Sequence, residues 1–177
     1  MFESHAIMKF ICGYKKLPDH WYPTSPQRDL ILQAKMDQYL DWHHANIRMG
    51  AGGFLFRKFF SGLMDKNGVY SSKESIDESW KILNRSLHQI QRIWLRKDRG
   101  HKFMFSDKPS IADLSLACEL TQLESINYPL HKYPEINSWF YEHMMSVKEF
   151  KAVHLEGSKK VTKVIKMLAE RLNDAKM

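Results

Sequence analysis

The segment Pro109-Ser110-Ile111-Ala112-Asp113-Leu114-Ser115-Leu116-Ala117-Cys118-Glu119-Leu120 constrains the fold of this chain more than any other, because one run spells both a helix start and a core helix. The Ser110 hydroxyl can accept a hydrogen bond from the backbone N–H of Asp113. The Asp113 carboxylate can reach back to the N–H of Ser110. Such a reciprocal capping box, here with Asp where Glu is commoner, fixes a helix start with about 0.5–2 kcal/mol. Behind it Leu114, Ala117, Cys118 and Leu120 fall mostly on one face, which predicts a buried helix.

The rest of the chain reads as helix after helix, without an alternating strand pattern. Ala6, Ile7, Phe10 and Ile11 give a short helix from Ser4 to about Gly13 an apolar face. A loop follows, and Ser25-Pro26 predicts the N-cap and first residue of a long helix with Leu32, Met36, Tyr39, Leu40, His43 and Ile47 on its inner side. Gly50, Gly52 and Gly53 are read as a break in it, since they lack the strand and Lys-Ser/Thr ending of a phosphate-binding loop. Ser71 and Glu74 predict a second capping box, opening a helix to about Lys97. In that helix Ile76, Trp80, Leu83, Leu87, Ile90 and Trp94 alternate steps of four and three, the spacing of antiparallel helices in a bundle. Further helices are expected around Ile136, Trp139, Phe140 and His143, near Phe150 to His154, and along a C-terminal tail.

With 177 residues, 44% of them hydrophobic, the chain can bury a real core. No apolar run approaches the roughly 20 residues that cross a membrane, and the N-terminus lacks the pattern of a secretory signal, so a soluble, cytoplasmic protein is expected. Cys12 and Cys118 sit far apart in apolar segments and read as reduced core residues. The net charge of +7 raises the question of nucleic acid, but most basic residues are interleaved with acids. The tail is the exception. There Lys159, Lys160, Lys163, Lys166, Arg171 and Lys176 accompany Val161, Val164, Ile165, Leu168 and Leu172 at helical spacing. This basic amphipathic helix is expected to pack on the body with a solvated lysine face, and no nucleic-acid partner is assigned.

Taken in order, the first helix, the loop Leu17-Pro18-Asp19-His20-Trp21-Tyr22-Pro23, the long helix with Tyr39-Leu40-Asp41-Trp42-His43 and Arg48, and then Ser110-Ile111-Ala112-Asp113-Leu114 resemble one known family. It is the helical C-terminal domain of the cytosolic glutathione transferases, and within them the theta class. The likeness is strongest over residues 3 to 48 and 103 to 126. It implies an all-α helical bundle divided as residues 1–16, a remnant of the thioredoxin-like domain; 17–25, an interdomain loop; 26–156, the helical domain; and 157–177, the tail helix.

The resemblance gives the first residues a role. In the family a Glu-Ser or Gln-Ser pair at a helix start holds the γ-glutamyl end of glutathione, and Glu3-Ser4 is similar to it. A helix N-terminus offers unpaired N–H groups and a positive dipole end to a carboxylate, which Ser4 would bind, while the Glu3 carboxylate would pair with the α-ammonium. Arg48, with Trp42 and His43, is expected to line the pocket for the electrophile. Glutathione enters as co-substrate and no other cofactor is implied. No His or Cys spacing suggests a metal, so none is assigned.

The family's thiol-activating hydroxyl or thiol and its cis-proline segment would precede Glu3 and fall outside these residues. The sequence therefore reads as one that begins late in the family's architecture or is truncated, with no catalytic residue of its own. Two functions are expected on this basis: the helical part of a transferase conjugating glutathione to electrophiles, or a noncatalytic interaction module or subunit of a larger complex. A homodimer is compatible with the first.

Overall fold

The computed structural model describes residues 1–65 and 67–174, with side chains as far as Glu170. Among the described residues there is no strand, and the fold is an all-α bundle. Helix α1 (Ser4–Tyr14) is followed by a continuous helical rod: α2 (Leu30–His43), a π-helical turn (His44–Arg48), α3 (Met49–Leu55), a second π turn (Phe56–Phe60) and α4 (Ser61–Met64). Then come α5 (Lys73–Ile93), α6 (Ile111–Glu124), α7 (Pro134–Ser138) with its π continuation (Trp139–His143), and α8 (Lys148–Asp174).

Helix α6 is the centre of the bundle. Ile111, Ala112, Leu116, Ala117, Leu120 and Leu123 are all buried, so it has apolar neighbours on most sides. Leu114 and Cys118, assigned from the sequence to its buried face, are only partly covered. The expected capping box forms: Asp113 Oδ2 accepts from Ser110 N (2.9 Å) and Ser110 Oγ (2.6 Å), and Asp113 N donates to Ser110 Oγ (3.4 Å). Asp113 Oδ1 accepts two further bonds, from Met104 N (2.9 Å) and Trp139 Nε1 (3.1 Å). One carboxylate thus ties the approach loop, the helix start and α7's continuation together.

Several predicted boundaries move, each for a local reason. Ser25 does not cap α2, because Asp19 holds it in a loop by accepting from Ser25 Oγ (2.6 Å) and from the N–H groups of Thr24 and Ser25 (3.1 Å each). Asp29 caps α2 instead, accepting from Ile31 N and Leu32 N. At α5 the cap is Ser72, accepting from Ser75 N at 3.3 Å, while the Ser71 N–H donates to Ser61 Oγ; the helix ends at Ile93, short of Lys97.

The glycines do not break the rod. A Cβ on Gly50 would stand 2.6 Å from the Leu83 Cα, so the bare backbone lets α3 and α5 touch. The tail is not a separate helix either, since α8 runs through Gly157 without interruption. Its Ile165 and Leu168 pack with Leu55 and Phe59 in a small second core, with Lys159, Lys160, Lys163 and Lys166 exposed. Val161 and Val164, expected on the packed face, are exposed; the side chains of Arg171, Leu172 and Lys176 lie outside the described residues.

Candidate functional site

A cavity of about 460 Å³ lies between α1, the end of α2 with its π turn, and α6. Glu3, Ser4, His43 and Arg48, each singled out from the sequence, line it together. Trp42 does not. Its ring turns to the other flank of α2, against Trp94 (centroids 4.6 Å apart) and Tyr39 (6.0 Å), which is a correction to its expected place in the electrophile pocket. Neighbouring residues on an α-helix point about 100° apart, which here turns Trp42 to the Trp94 flank while His43 faces the cavity.

The N-terminus of α1 forms one wall. Glu3 stands at the N-cap with φ of 69°, a backbone conformation that costs a non-glycine residue on the order of 1–3 kcal/mol. No side chain caps this helix. Its first-turn N–H groups therefore meet the cavity wall without a side-chain acceptor, at the positive end of the helix dipole.

The floor is built around Glu119, a buried carboxylate that the sequence reading passed over. Its Oε1 accepts from Arg48 Nη1 at 2.9 Å and lies 3.6 Å from His43 Nε2, while Oε2 accepts from Gln122 Nε2 at 3.1 Å. His43 and Arg48 are five residues apart. On a regular α-helix they would diverge by about 140°, but an i to i+5 turn brings such residues nearer one face. The π turn at His44–Arg48 thus lets both reach one oxygen. Tyr39, fully buried and 3.2 Å from His43 Nδ1, has its hydroxyl pKa held well above the usual value by burial and then by Glu119. It keeps its proton and can donate a hydrogen bond to Nδ1, the arrangement in which the imidazole N–H points toward Glu119.

His5 is the second residue that sequence reasoning missed. Its Nε2 is 3.0 Å from Ser115 Oγ, and its ring lies 5.0 Å from that of His43 and 4.4 Å from that of His44. Burial, and then the charges His43, His44 and Lys9 can carry, push its pKa down to about 4. Nδ1 makes no hydrogen bond of good geometry. Cys118 completes the wall opposite; burial, then Glu119, pushes its thiol up to about 11, so it is not a thiolate at neutral pH. Among the described residues no group of three or more His, Cys, Asp or Glu side chains is arranged to hold a metal ion.

Arg48 also borders an open groove of about 690 Å³ between the α3 region and α8, walled by Met49, Phe56, Phe60 and Val161. Its side chain is 56% exposed, so one face of the guanidinium is bound by Glu119 and another is free for a ligand. The arrangement is a polar cavity, with a helix N-terminus and a carboxylate, joined through an arginine to an apolar groove.

These features define a small helical domain with a polar cavity and an adjoining groove. Residues 36–147 match the family model for the glutathione S-transferase C-terminal domain, and the chain belongs to that family. It is theta-like. Glutathione S-transferase T1 of Arabidopsis thaliana is 37% identical over 129 residues, 72% of this chain and 49% of that protein. Glutathione S-transferase theta-1 of Gallus gallus is 31% identical over 138 residues, 77% of this chain and 49% of that protein. The chain spans about half the length of both. In fold, it is similar to a human theta-class glutathione transferase in complex with the glutathione conjugate of 1-menaphthyl sulfate (TM-score 0.76, 22% identity, 97% of this chain and 66% of that one). Human glutathione transferase theta-2, in complex with glutathione and an unknown ligand, gives a TM-score of 0.75 at 24% identity, over the same shares.

Proposed function

We propose that this chain is the helical half of a theta-like glutathione transferase, a cytoplasmic detoxifying enzyme that adds the glutathione thiolate to electrophiles when a thioredoxin-like domain is present. The observation that carries this reading is the meeting of Glu3 and Ser4 with Arg48 in one cavity. Ser4 at the uncapped helix start would take the γ-glutamyl carboxylate, and Glu3 its ammonium. The apolar groove beyond Arg48 would take the electrophile, with the guanidinium drawing a departing anion.

The 177 residues alone are expected to conjugate negligibly, because burial holds Cys118 as a neutral thiol, Ser115 Oγ is engaged with His5 Nε2 at 3.0 Å, and Ser4 is assigned to the γ-glutamyl carboxylate. The test joins a theta-class thioredoxin-like domain ahead of Glu3 and measures turnover of an alkyl halide. Restored turnover with a KM for glutathione raised about tenfold by Ser4→Ala is the expected result. Turnover by the 177-residue chain alone, or an unchanged KM, would overturn the proposal.

The exposed outer face of α1 favours a second reading, a noncatalytic interaction module. Phe10 and Ile11 are about half exposed there, where another fold, a homodimer partner or a different protein could dock.

A further inference from the structure

Helix α8 runs unbroken for 27 residues, about 40 Å at 1.5 Å per residue, and only part of its circumference packs on the bundle. Phe150, Ile165 and Leu168 are buried, and they fall on one side of it. The outward side divides into two strips. Lys159, Lys163 and Lys166 lie within about 60° of one another around the helix axis, and Val153, Lys160, Val164 and Met167 lie within about 60° beside them. All of these residues are exposed, Val153 by 69%, Met167 by 46% and Val164 by 38%.

The charge on this side is poorly compensated. Residues 158–167 contain Lys159, Lys160, Lys163 and Lys166 and no acid. Glu156 and Glu170 flank them, and Glu156 reaches Lys159 only at 4.0 Å. Among the described residues Lys160, Lys163 and Lys166 make no ion pair. A solvated lysine strip by itself is ordinary on a helix, but an apolar strip beside it is unfavourable in water. The two together suit a helix lying in a membrane interface, with apolar side chains at the acyl boundary and lysines among the headgroups. The convex side of one helix offers a peptide no groove, and this side carries no aromatic ring on which a nucleobase could stack. An anionic bilayer is flat, extended and negative, and it answers both strips at once.

We propose that the outward side of α8 docks on an anionic phospholipid surface, with Val153, Val164 and Met167 at the acyl boundary and Lys159, Lys160, Lys163 and Lys166 among the headgroups. Each lysine beside such a surface strengthens binding about fivefold, and the attraction decays within a Debye length of about 10 Å at 0.1 M salt. A zwitterionic surface would leave the lysines unanswered. A soluble polyanion would leave the valines and the methionine in water.

The test sediments the 177-residue chain with vesicles of phosphatidylcholine alone or with about 30% phosphatidylserine, in a Phe10→Ser, Ile11→Ser background so that α1 holds no lipid. The anionic vesicles are expected to bind it at least about tenfold tighter than the zwitterionic ones at 0.1 M salt, and to release it at about 0.5 M. Lys160→Gln with Lys163→Gln is expected to weaken that binding about 20-fold, and Lys160→Arg with Lys163→Arg to leave it as it was. Val164→Ser with Met167→Ser is expected to weaken it about fivefold. Lys73→Gln with Lys81→Gln on α5, an equal loss of exposed charge elsewhere, is expected to change it less than about twofold. No preference for the anionic vesicles, or equal weakening by the α5 pair, would overturn the proposal. So would an oligonucleotide or polyglutamate bound as tightly as the vesicles, with vesicle binding indifferent to Val164→Ser and Met167→Ser, since the lysines would then serve a soluble polyanion.

Discussion

Single residues carry two of the strongest consequences of this structure. Asp113 is fully buried and accepts from Ser110 N, Ser110 Oγ, Met104 N and Trp139 Nε1. Removing its carboxylate loses a helix cap and strands buried donors, at about 1–3 kcal/mol for each unsatisfied group. Asp113→Ala is expected to destabilise the fold by about 3 kcal/mol or more, lowering the thermal midpoint by roughly 10 °C. Calorimetry checks this, and a midpoint within about 3 °C of wild type would refute it. His5 makes stability depend on pH. Its pKa falls from an ordinary 6.5 to about 4 on folding, chiefly through burial, so between those values the unfolded chain binds the extra proton. The stabilisation is complete above pH 6.5 and declines as pH falls toward 4. Urea midpoints measured at pH 7.5 and pH 4.5 are expected to drop more for wild type than for His5→Gln; equal drops would show that His5 is not the responsible group.

At the scale of elements, glycine separates contact from tolerance. Gly50 faces the backbone of Leu83, and its Cβ would come 2.6 Å from the Cα there, where no flexible side chain can yield. Gly157 lies in α8 with open space around its Cβ position. Gly50→Ala is therefore expected to lose about 1–3 kcal/mol as α3 and α5 are forced apart. Gly157→Ala is expected to gain about 0.5–1 kcal/mol from helix propensity alone. Denaturant midpoints of the two variants should move in opposite directions, and movement in the same direction would contradict this account of the α3 to α5 contact. The sequence suggested a helix break at Gly50 and did not single out Gly157, and only the packed neighbour distinguishes the two.

Across the whole molecule, α1 has one face in the bundle and one outside it. His5 and Cys12 are buried, whereas Ala6, Phe10, Ile11 and Tyr14 are exposed, with Phe10 stacked on Tyr14 at 5.4 Å. The 177-residue chain is expected to self-associate through this face, and Phe10→Ser with Ile11→Ser to restore a smaller species in sedimentation analysis. Identical sedimentation of the two would remove that expectation. The sequence by itself determined the helical character of the chain, the Ser110 to Asp113 cap and most of the buried apolar positions of α2 and α5, with Trp80 left exposed, because these follow from contacts within a few residues and from a repeat of 3.6. It also marked Glu3, Ser4 and Arg48, through a familiar order of motifs. Tertiary structure alone decided that Trp42 leaves the cavity and that Glu119 joins Arg48 and His43. Those facts depend on a π turn that resets the helical phase and on residues distant in sequence, and neither is encoded in local periodicity.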